Sequence, residues 1–331
     1  HFCNYAYARI VVYTKSISIQ NFRSITLANL DFPTPITVLC GHNNAGKTTI
    51  LEALYFCSYL KSFKSISNNE LISQSSDFFK ISVNFTQNDL NNTIFVEKSL
   101  KNSKCTYNNK KISKKSLSVS YPCYSLVFGF NNILLNDSSY RRDFIDSGMF
   151  HVEPSTQKLA ASYDKTLKQR NYLLRQKQDD TANFWTQELI STNKQLHEAR
   201  LTYFNLLNKE FINILESLKK ELPELYEEIS SIGLVYKKGW DNNYEDAIHN
   251  NLPKDLALGY TSSGTHRADI ELSSKGKLVK ESGSMSTLVL SCLIIYLAKI
   301  RTFHVKHGFK PLLLIDDLFF GIDNKNLDTV I

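Results

Sequence analysis

The sequence predicts an α/β protein whose sheet-forming parts are separated in the chain by an inserted, mostly helical lobe. Three observations predict it. An apolar, partly β-branched run, Ile36-Thr37-Val38-Leu39-Cys40, leads into a glycine-bracketed turn and then into residues at helical spacing. Between Gly148 and Gly233 there is no glycine, and apolar residues follow a helical stripe. Near the end, Pro311-Leu312-Leu313-Leu314-Ile315 runs as an apolar strand into the paired carboxylates Asp316 and Asp317.

Composition bounds the reading. With 331 residues the chain has room for two domains, or one large domain with an insertion, and a 42% apolar share supports a real core. Lys+Arg 39 against Asp+Glu 32 gives a net charge of +7, a surplus that permits a nucleic-acid partner without requiring one. The six cysteines (Cys3, Cys40, Cys57, Cys105, Cys123, Cys292) are scattered with no C-x-x-C pair, so neither a zinc site nor a disulfide framework is indicated. That pattern fits a reducing cytoplasm. The longest apolar run, Leu288 to Ile300, is broken by Ser291, Tyr296 and Lys299. It is shorter than the roughly 20 residues needed to cross a bilayer, and no signal peptide opens the chain, so no membrane role is expected.

In chain order, strand-like spacing starts at Tyr13 with Ile17, Ile19 and Phe22, continues through Leu27 and Leu30, and is punctuated by Pro33 and Pro35. The run Ile36–Cys40 is expected as a buried strand. After the turn, Ile50, Leu51, Leu54 and Cys57 place a helix from near Lys47 to near Tyr59, and Lys61 and Lys64 then flank Phe63. Residues 66–120 alternate short β-like runs (Ile81–Phe85, Thr93–Val96) with Asn/Ser turns. Lys101, Lys104, Lys110, Lys111, Lys114 and Lys115 crowd the end of this stretch, as a phosphate-binding face or a solvated hairpin rim. Leu189, Leu196 and Tyr203, then Phe204, Leu207, Phe211, Ile214 and Leu218, form one apolar stripe on a long helix, best packed as a helical hairpin. A strand pair around Ile270 and Leu278 and a helix over 287–299, apolar on nearly all sides, precede the last strand. Residues 13–120 and 255–331 are therefore expected to form a split head, 121–254 an inserted lobe, and 1–12 an uncertain extension.

The chemistry sits in Gly41-His42-Asn43-Asn44-Ala45-Gly46-Lys47-Thr48, which fits G-x-x-x-x-G-K-[ST] at every fixed position. Glycines allow the tight turn and keep side chains off an anion, while the loop amides and the following helix dipole supply positive charge. His42 has no assigned role. Residues 41–48 with Thr49 are the expected ATP-binding set: Lys47 reaches the β- and γ-phosphates, and Thr48 holds Mg²⁺. Asp316, at the tip of its strand, is the expected second Mg²⁺ anchor, and Asp317 is placed to orient or deprotonate a water. His304 and His307 lack a third ligand and are expected to be ordinary surface residues. Nearly the whole chain lies between Lys47 and Asp316. A site split around an inserted arm is the arrangement of ABC-type ATPases of the SMC kind, so the expected fold is an ABC-type head: a mixed or parallel sheet with the phosphate loop, an antiparallel β part, and a helical lobe.

From Tyr13 onward the chain resembles the RecF family, the bacterial recombination-mediator ATPases. The resemblance is carried by Ile19-Gln20-Asn21-Phe22-Arg23, the phosphate loop, Leu51-Glu52-Ala53-Leu54 and Ser62-Phe63-Lys64-Ser65. Its most specific pieces are Tyr140-Arg141-Arg142-Asp143-Phe144-Ile145-Asp146, Leu167-Lys168-Gln169-Arg170-Asn171 and Gly264-Thr265-His266-Arg267-Ala268-Asp269. The resemblance implies a head that forms an ATP-dependent homodimer and a slow, DNA-stimulated ATPase. It further implies action at single-strand gaps or duplex junctions with RecR and RecO, promoting RecA loading. Lys61, Lys64, Arg141 and Arg142 are candidate DNA contacts; the two arginines serve equally well to brace the two lobes.

The chain departs from the family at several places. Where the family has a signature like L-S-R-G-Q, this chain has Glu281-Ser282-Gly283-Ser284-Met285-Ser286-Thr287, so Ser284, or alternatively Ser282, takes the serine that completes a partner's site. Gly129-Phe130 stands where the family has proline and an acid, and Phe320-Gly321-Ile322-Asp323 keeps only the final acid of the D-loop. The strand carrying the family's switch residue falls beyond Ile331. Binding of ATP is expected to be kept more securely than hydrolysis. A nucleotide-binding interaction protein with little or no hydrolysis is the alternative.

Overall fold

The computed structural model describes residues 10–65, 67–87, 90–127, 133, 136–177 and 179–316. These form two compact units: the described residues of His1–Asn131 with Phe303–Phe320, and those of Asn132–Thr302. In the first unit, β1 (Ile10–Val11), β2 (Tyr13–Phe22) and β3 (Ile25–Asp31) precede the loop and helix α1 (Lys47–Tyr59). Then come β4 (Phe78–Gln87), β5 (Leu90–Ser99), β6 (Ser103–Tyr107), β7 (Lys110–Lys111), α2 (Lys114–Ser120) and β8 (Cys123–Val127). The second unit holds α3 (Ser138–Val152), α4 (Thr156–Arg175), α5 (Asp179–Glu221), α6 (Pro223–Ile229), β9 (Ile232–Lys237), α7 (Tyr244–Asn250) and α8 (Leu252–Leu258). It continues with β10 (Asp269–Ser274), β11 (Lys277–Leu278), α9 (Val279–Ser282) and most of α10 (Met285–His307). The chain returns to the first unit with β12 (Phe309–Lys310) and β13 (Leu312–Asp316).

The first unit is built on an antiparallel sheet of order β3-β2-β4-β5-β6-β7, with two parallel pairs, β1–β12 and β8–β13. Alternation of buried and exposed residues along β4 and β5 matches a sheet covered on one face. Phe22, Phe56 and Phe79 meet edge to face at centroid distances of 5.0 to 6.2 Å beneath it. Residues 121–127, expected in the helical lobe, belong here because β8 pairs with β13 along its whole length. Residues 255–302, expected with the head, belong to the second unit, where β10 pairs with β9 from Asp269–Lys237 to Ser274–Ile232.

The expected strand Ile36–Cys40 does not form. Ile36 is 85% exposed and Val38 64%, and no strand pairs with this segment among the described residues. Its backbone is engaged locally: the Thr34 hydroxyl donates to Ile36 O (2.6 Å) and the Thr37 hydroxyl to Thr34 O (3.2 Å). Such side-chain bonds compete with a ladder, and Pro33 and Pro35 remove two donors just upstream.

In the second unit the expected stripe buries Leu189, Leu196, Tyr203, Phe204, Leu207, Phe211 and Ile214 along α5, which pairs with α4 as a helical hairpin. Helix α10 is long and apolar enough to cross a membrane, yet 67% of its apolar window is buried inside the fold, which accounts for that composition by packing. Where α3 meets α5, Gly148 leaves no room for a side chain: a Cβ there would lie 1.9 Å from the Tyr203 hydroxyl. Gly148→Ala is therefore expected to destabilise the protein by about 1–3 kcal/mol in urea unfolding through overpacking. Gly233→Ala, at a glycine with open space around it, is expected to leave the midpoint nearly unchanged.

Candidate nucleotide-binding site

The phosphate-type loop takes the backbone its glycines were expected to permit. Gly46 has φ 90° and closes the loop as the N-terminal neighbour of α1, and a Cβ there would approach Ile25 at 3.5 Å. Asn44 adopts φ 66°, a conformation asparagine tolerates. Helix α1 opens on Lys47, Thr48 and Thr49 with no acidic residue in its first turn, so its N-terminal positive end is not neutralised locally. Lys47 Nζ donates to the carbonyls of Gly41 (2.8 Å) and His42 (2.9 Å), folding its cation over the loop.

Helix α1 is fixed from several sides. The Ser58 hydroxyl donates to Tyr121 O (2.6 Å) and the Tyr59 hydroxyl to Cys123 O (2.7 Å), fastening its last turn to the start of β8. The helix packs along β8 and β13. Its first turn therefore lies toward the C-terminal ends of these strands, where Asp316 stands opposite Val127 and is only 7% exposed. Loop amides, Lys47, Thr48 and a buried carboxylate on one end of one layer are a donor set that fits a magnesium-bound triphosphate. Asp317, Gly129-Phe130 and the D-loop residues Phe320–Asp323 lie outside the described residues.

One support was missed by motif reading. Glu52 is fully buried on α1, and Arg23 donates to both its oxygens, with Nη2 at 2.7 Å from Oε1. The same Nη2 reaches Ser65 Oγ at 2.6 Å, and the Ser62 hydroxyl also donates to Glu52. The three short stretches Asn21–Arg23, Leu51–Leu54 and Ser62–Ser65 thus meet as one brace beneath the loop helix. A charged residue between Leu51 and Ala53 on a buried helix face was the available signal.

The signature-like segment lies in the second unit. Ser284 is exposed and caps α10: its Oγ accepts from Thr287 N at 3.1 Å and lies 2.9 Å from Thr287 Oγ1, which donates to Glu228 at 3.1 Å. Ser282 closes α9, its hydroxyl bonded to Leu278 O at 3.1 Å. Among the DNA candidates, Lys61 and Lys64 are exposed in the first unit. Burial first, and neighbouring Lys61 second, depress the Lys114 amine, so the two lysine-rich stretches approach one another. Arg141 is bidentate to Asp269 at 2.6 and 2.8 Å and gives a third donor to Asn136 O. Arg142 donates to Ala268 O at 2.9 Å. Arg141 and Asp269 both lie in the second unit.

The turn 264–269 is held from several directions. Arg200 pairs with Asp146 (2.7 and 2.8 Å) and donates to Thr265 O, and Asn193 accepts from Thr265 N. His266 lies 2.7 Å from the Tyr163 hydroxyl and 3.0 Å from Thr261 O, and burial lowers its pKa to about 4.

Comparisons with known proteins agree with this geometry. A family profile described as an AAA domain matches residues 16–248. The DNA replication and repair protein RecF of Photorhabdus laumondii is 30% identical over 312 residues, covering 92% of this chain and 84% of that protein. Its counterpart in Clostridium acetobutylicum is 27% identical over 330 residues, 97% of this chain and 89% of that protein. The solved structure of the recombination mediator protein RecF-ATP in the RecFOR pathway superposes with TM-score 0.80 at 20% identity, covering 99% of this chain and 90% of that one. The Smc head domain from Pyrococcus furiosus, solved with the C-terminal domain of ScpA, gives TM-score 0.54 at 14% identity over 97% and 85%. The fold is the head of an ABC-type ATPase, with an antiparallel sheet and a helical lobe. Within that class, the chain belongs to the RecF family.

Two outcomes follow from these contacts. Arg23→Ala leaves the Glu52 carboxylate buried and without its cation, and is expected to cost about 3 kcal/mol or more in chemical unfolding, whereas Lys80→Ala, removing the exposed 3.9 Å pair to Glu97, is expected to cost under ~1 kcal/mol. His266 binds its proton less readily folded than unfolded, so stability rises with pH through the window from about 4 to 6.5 and is lost as acid is added. His266→Gln should flatten that slope in thermal melts taken across this range.

Proposed function

We propose that this chain is an ATP-dependent DNA-binding protein of recombinational repair, whose heads dimerise around ATP on gapped or junction DNA and promote RecA loading with RecR and RecO. The observation that supports the nucleotide part is the packing of α1, which opens on Lys47 and Thr48, against β13, which ends in buried Asp316. The kinship with RecF proteins, and the likeness to the structure of RecF-ATP in the RecFOR pathway, support the rest.

In this mechanism residues 41–49 cradle the phosphates, and Lys47 exchanges the Gly41 and His42 carbonyls for phosphate oxygens. Thr48 and Asp316 would hold Mg²⁺, and Asp317 would orient the attacking water. The bound MgATP supplies the scissile anhydride and neutralises charge as it develops. Ser284 of one head completes the site of another, so nucleotide state sets the dimer equilibrium through differential affinity for the closed form. Exposed Lys61 and Lys64, with nearby Lys114, offer a cationic face for a phosphate backbone.

The Ser284 hydroxyl is engaged by its own helix cap through Thr287. That observation favours a second reading, a nucleotide-dependent interaction protein with little hydrolysis.

ATP turnover with and without gapped DNA separates the two. For the hydrolase, Lys47→Ala is expected to lose ATP binding, and Asp317→Asn to keep binding while losing turnover about a hundredfold or more. Wild-type protein that binds ATP yet turns it over no faster than these variants supports the second reading.

A further inference from the structure

The second unit contains a cleft of about 1230 Å³ between β9, the 238–243 loop, α7 and the 264–269 turn. One wall is aromatic: His197 stacks on Tyr236 at 5.8 Å and meets Trp240 edge-on at 4.9 Å. Burial first, then neighbouring Lys238, lowers the His197 pKa, which favours the uncharged ring for stacking. Trp240 is only partly buried. Lys238 Nζ sits 5.5 Å from the Trp240 ring centroid while donating to Asn242 O at 2.7 Å, so a cation and an indole are presented together.

At the other side stands Arg267. Every neighbour in its turn is bound inward: Thr265 to Asn193 and Arg200, His266 to Tyr163, Ala268 O to Arg142, Asp269 to Arg141. Gly264, at φ 139°, packs where a Cβ would lie 2.9 Å from the Tyr163 hydroxyl, so the turn's course is fixed. Arg267 is exposed, lies over the Tyr260 ring at 5.4 Å, and has no carboxylate partner among the described residues. A backbone held by its neighbours thus carries one planar cation on the lining of the cleft that also holds His197, Tyr236 and Trp240. Of the four acids on the lining, Asp269 pairs with Arg141 and Glu271 with Lys237 at 2.6 Å, while exposed Asp241 and Asp246 share the lining with Lys238 and Lys254. Asn242, Asn243 and Asn250 add exposed amides that can both donate and accept.

We propose that this cleft is a subsite for single-stranded nucleic acid, with a base stacked on Trp240 and an adjacent phosphate held by Arg267. A π-face and a guanidinium on the lining of one cleft suit a nucleotide of a flexible strand, whereas bases in a duplex keep their faces covered. The proposal rests on the reading that the chain works on DNA, and it locates one place where a strand, rather than a duplex, is engaged.

The chain has two tryptophans, so Trp185→Phe leaves Trp240 as the only indole reporter. Titrating this variant with an oligothymidylate is expected to quench its fluorescence, and a duplex of equal length to leave it unchanged. Arg267→Ala should weaken the oligothymidylate and lower the steepness of its log-affinity against log-salt plot by about 0.7, the loss of one single-strand phosphate contact. Trp240→Ala, followed by anisotropy of a labelled strand, should weaken binding about tenfold, and Trp240→Phe less. Strand binding that leaves Trp240 emission unchanged and is indifferent to Arg267→Ala overturns the proposal while leaving the DNA reading intact. Absence of binding to any DNA, in protein that still binds ATP, overturns both. Quenching by an acidic peptide but not by oligothymidylate also overturns it, and assigns the cleft to protein.

Discussion

The grip on α1 is the constraint on which the first unit depends. One helix carries the end of the phosphate loop, packs along β8 and β13 on one side and meets β2, β4 and β5 on the other. Its placement is secured by apolar burial of Ala53, Leu54, Phe56 and Cys57 and by a fully buried carboxylate, Glu52. An unpartnered carboxylate there would be prohibitive, so the helix can settle only where Arg23 meets it. Apolar packing fixes that the helix is buried, and the ion pair fixes its rotation and height. Loop amides and Asp316 are brought to one end of the layer as a result.

The second unit repeats this device with more members. Arg141–Asp269, Arg200–Asp146 and the fully buried Arg170–Asp255 join segments far apart in sequence. Arg170 also bonds Thr186 and Thr261, and Asn171 accepts twice from Thr261, which ties the α4–α5 hairpin to the segment ahead of the 264–269 turn. Replacing such pairs by apolar residues is often no loss in stability; their service is to exclude other arrangements, here of a turn whose backbone carries a positive-φ glycine. Lys299 on α10 belongs to the same scheme, donating to Phe144 O (2.8 Å) and Ser147 Oγ (2.7 Å) from a site where burial pushes its pKa down to about 7.

Local pattern made much of this legible. The loop, α1, the β13 strand and the long α5 stripe are each specified by neighbours in sequence, through glycine placement or apolar period, and they formed where expected. Partners of buried charges are not encoded that way. Nothing adjacent to Arg141 names Asp269, and the pair becomes visible only when the fold brings the two together. Ile36–Cys40 misled for the converse reason: its composition suits a strand, but a strand is a property of a pair, and no neighbour pairs with it among the described residues. Glu52 shows a third case, a charge inside an apolar helix face that reads as noise until its cation is found.

Lys47 gives the loop an internal counter-ligand. Because its ammonium already rests on two backbone carbonyls, an arriving anion has to displace bonds as well as shed water. A small, singly charged ion gains little from that exchange, since it replaces two acceptors with one. A chain of linked phosphates offers several oxygens to the same ammonium and to the amides beside it. The loop is thereby biased toward polyvalent guests and resists occupation by the simple salts that surround it.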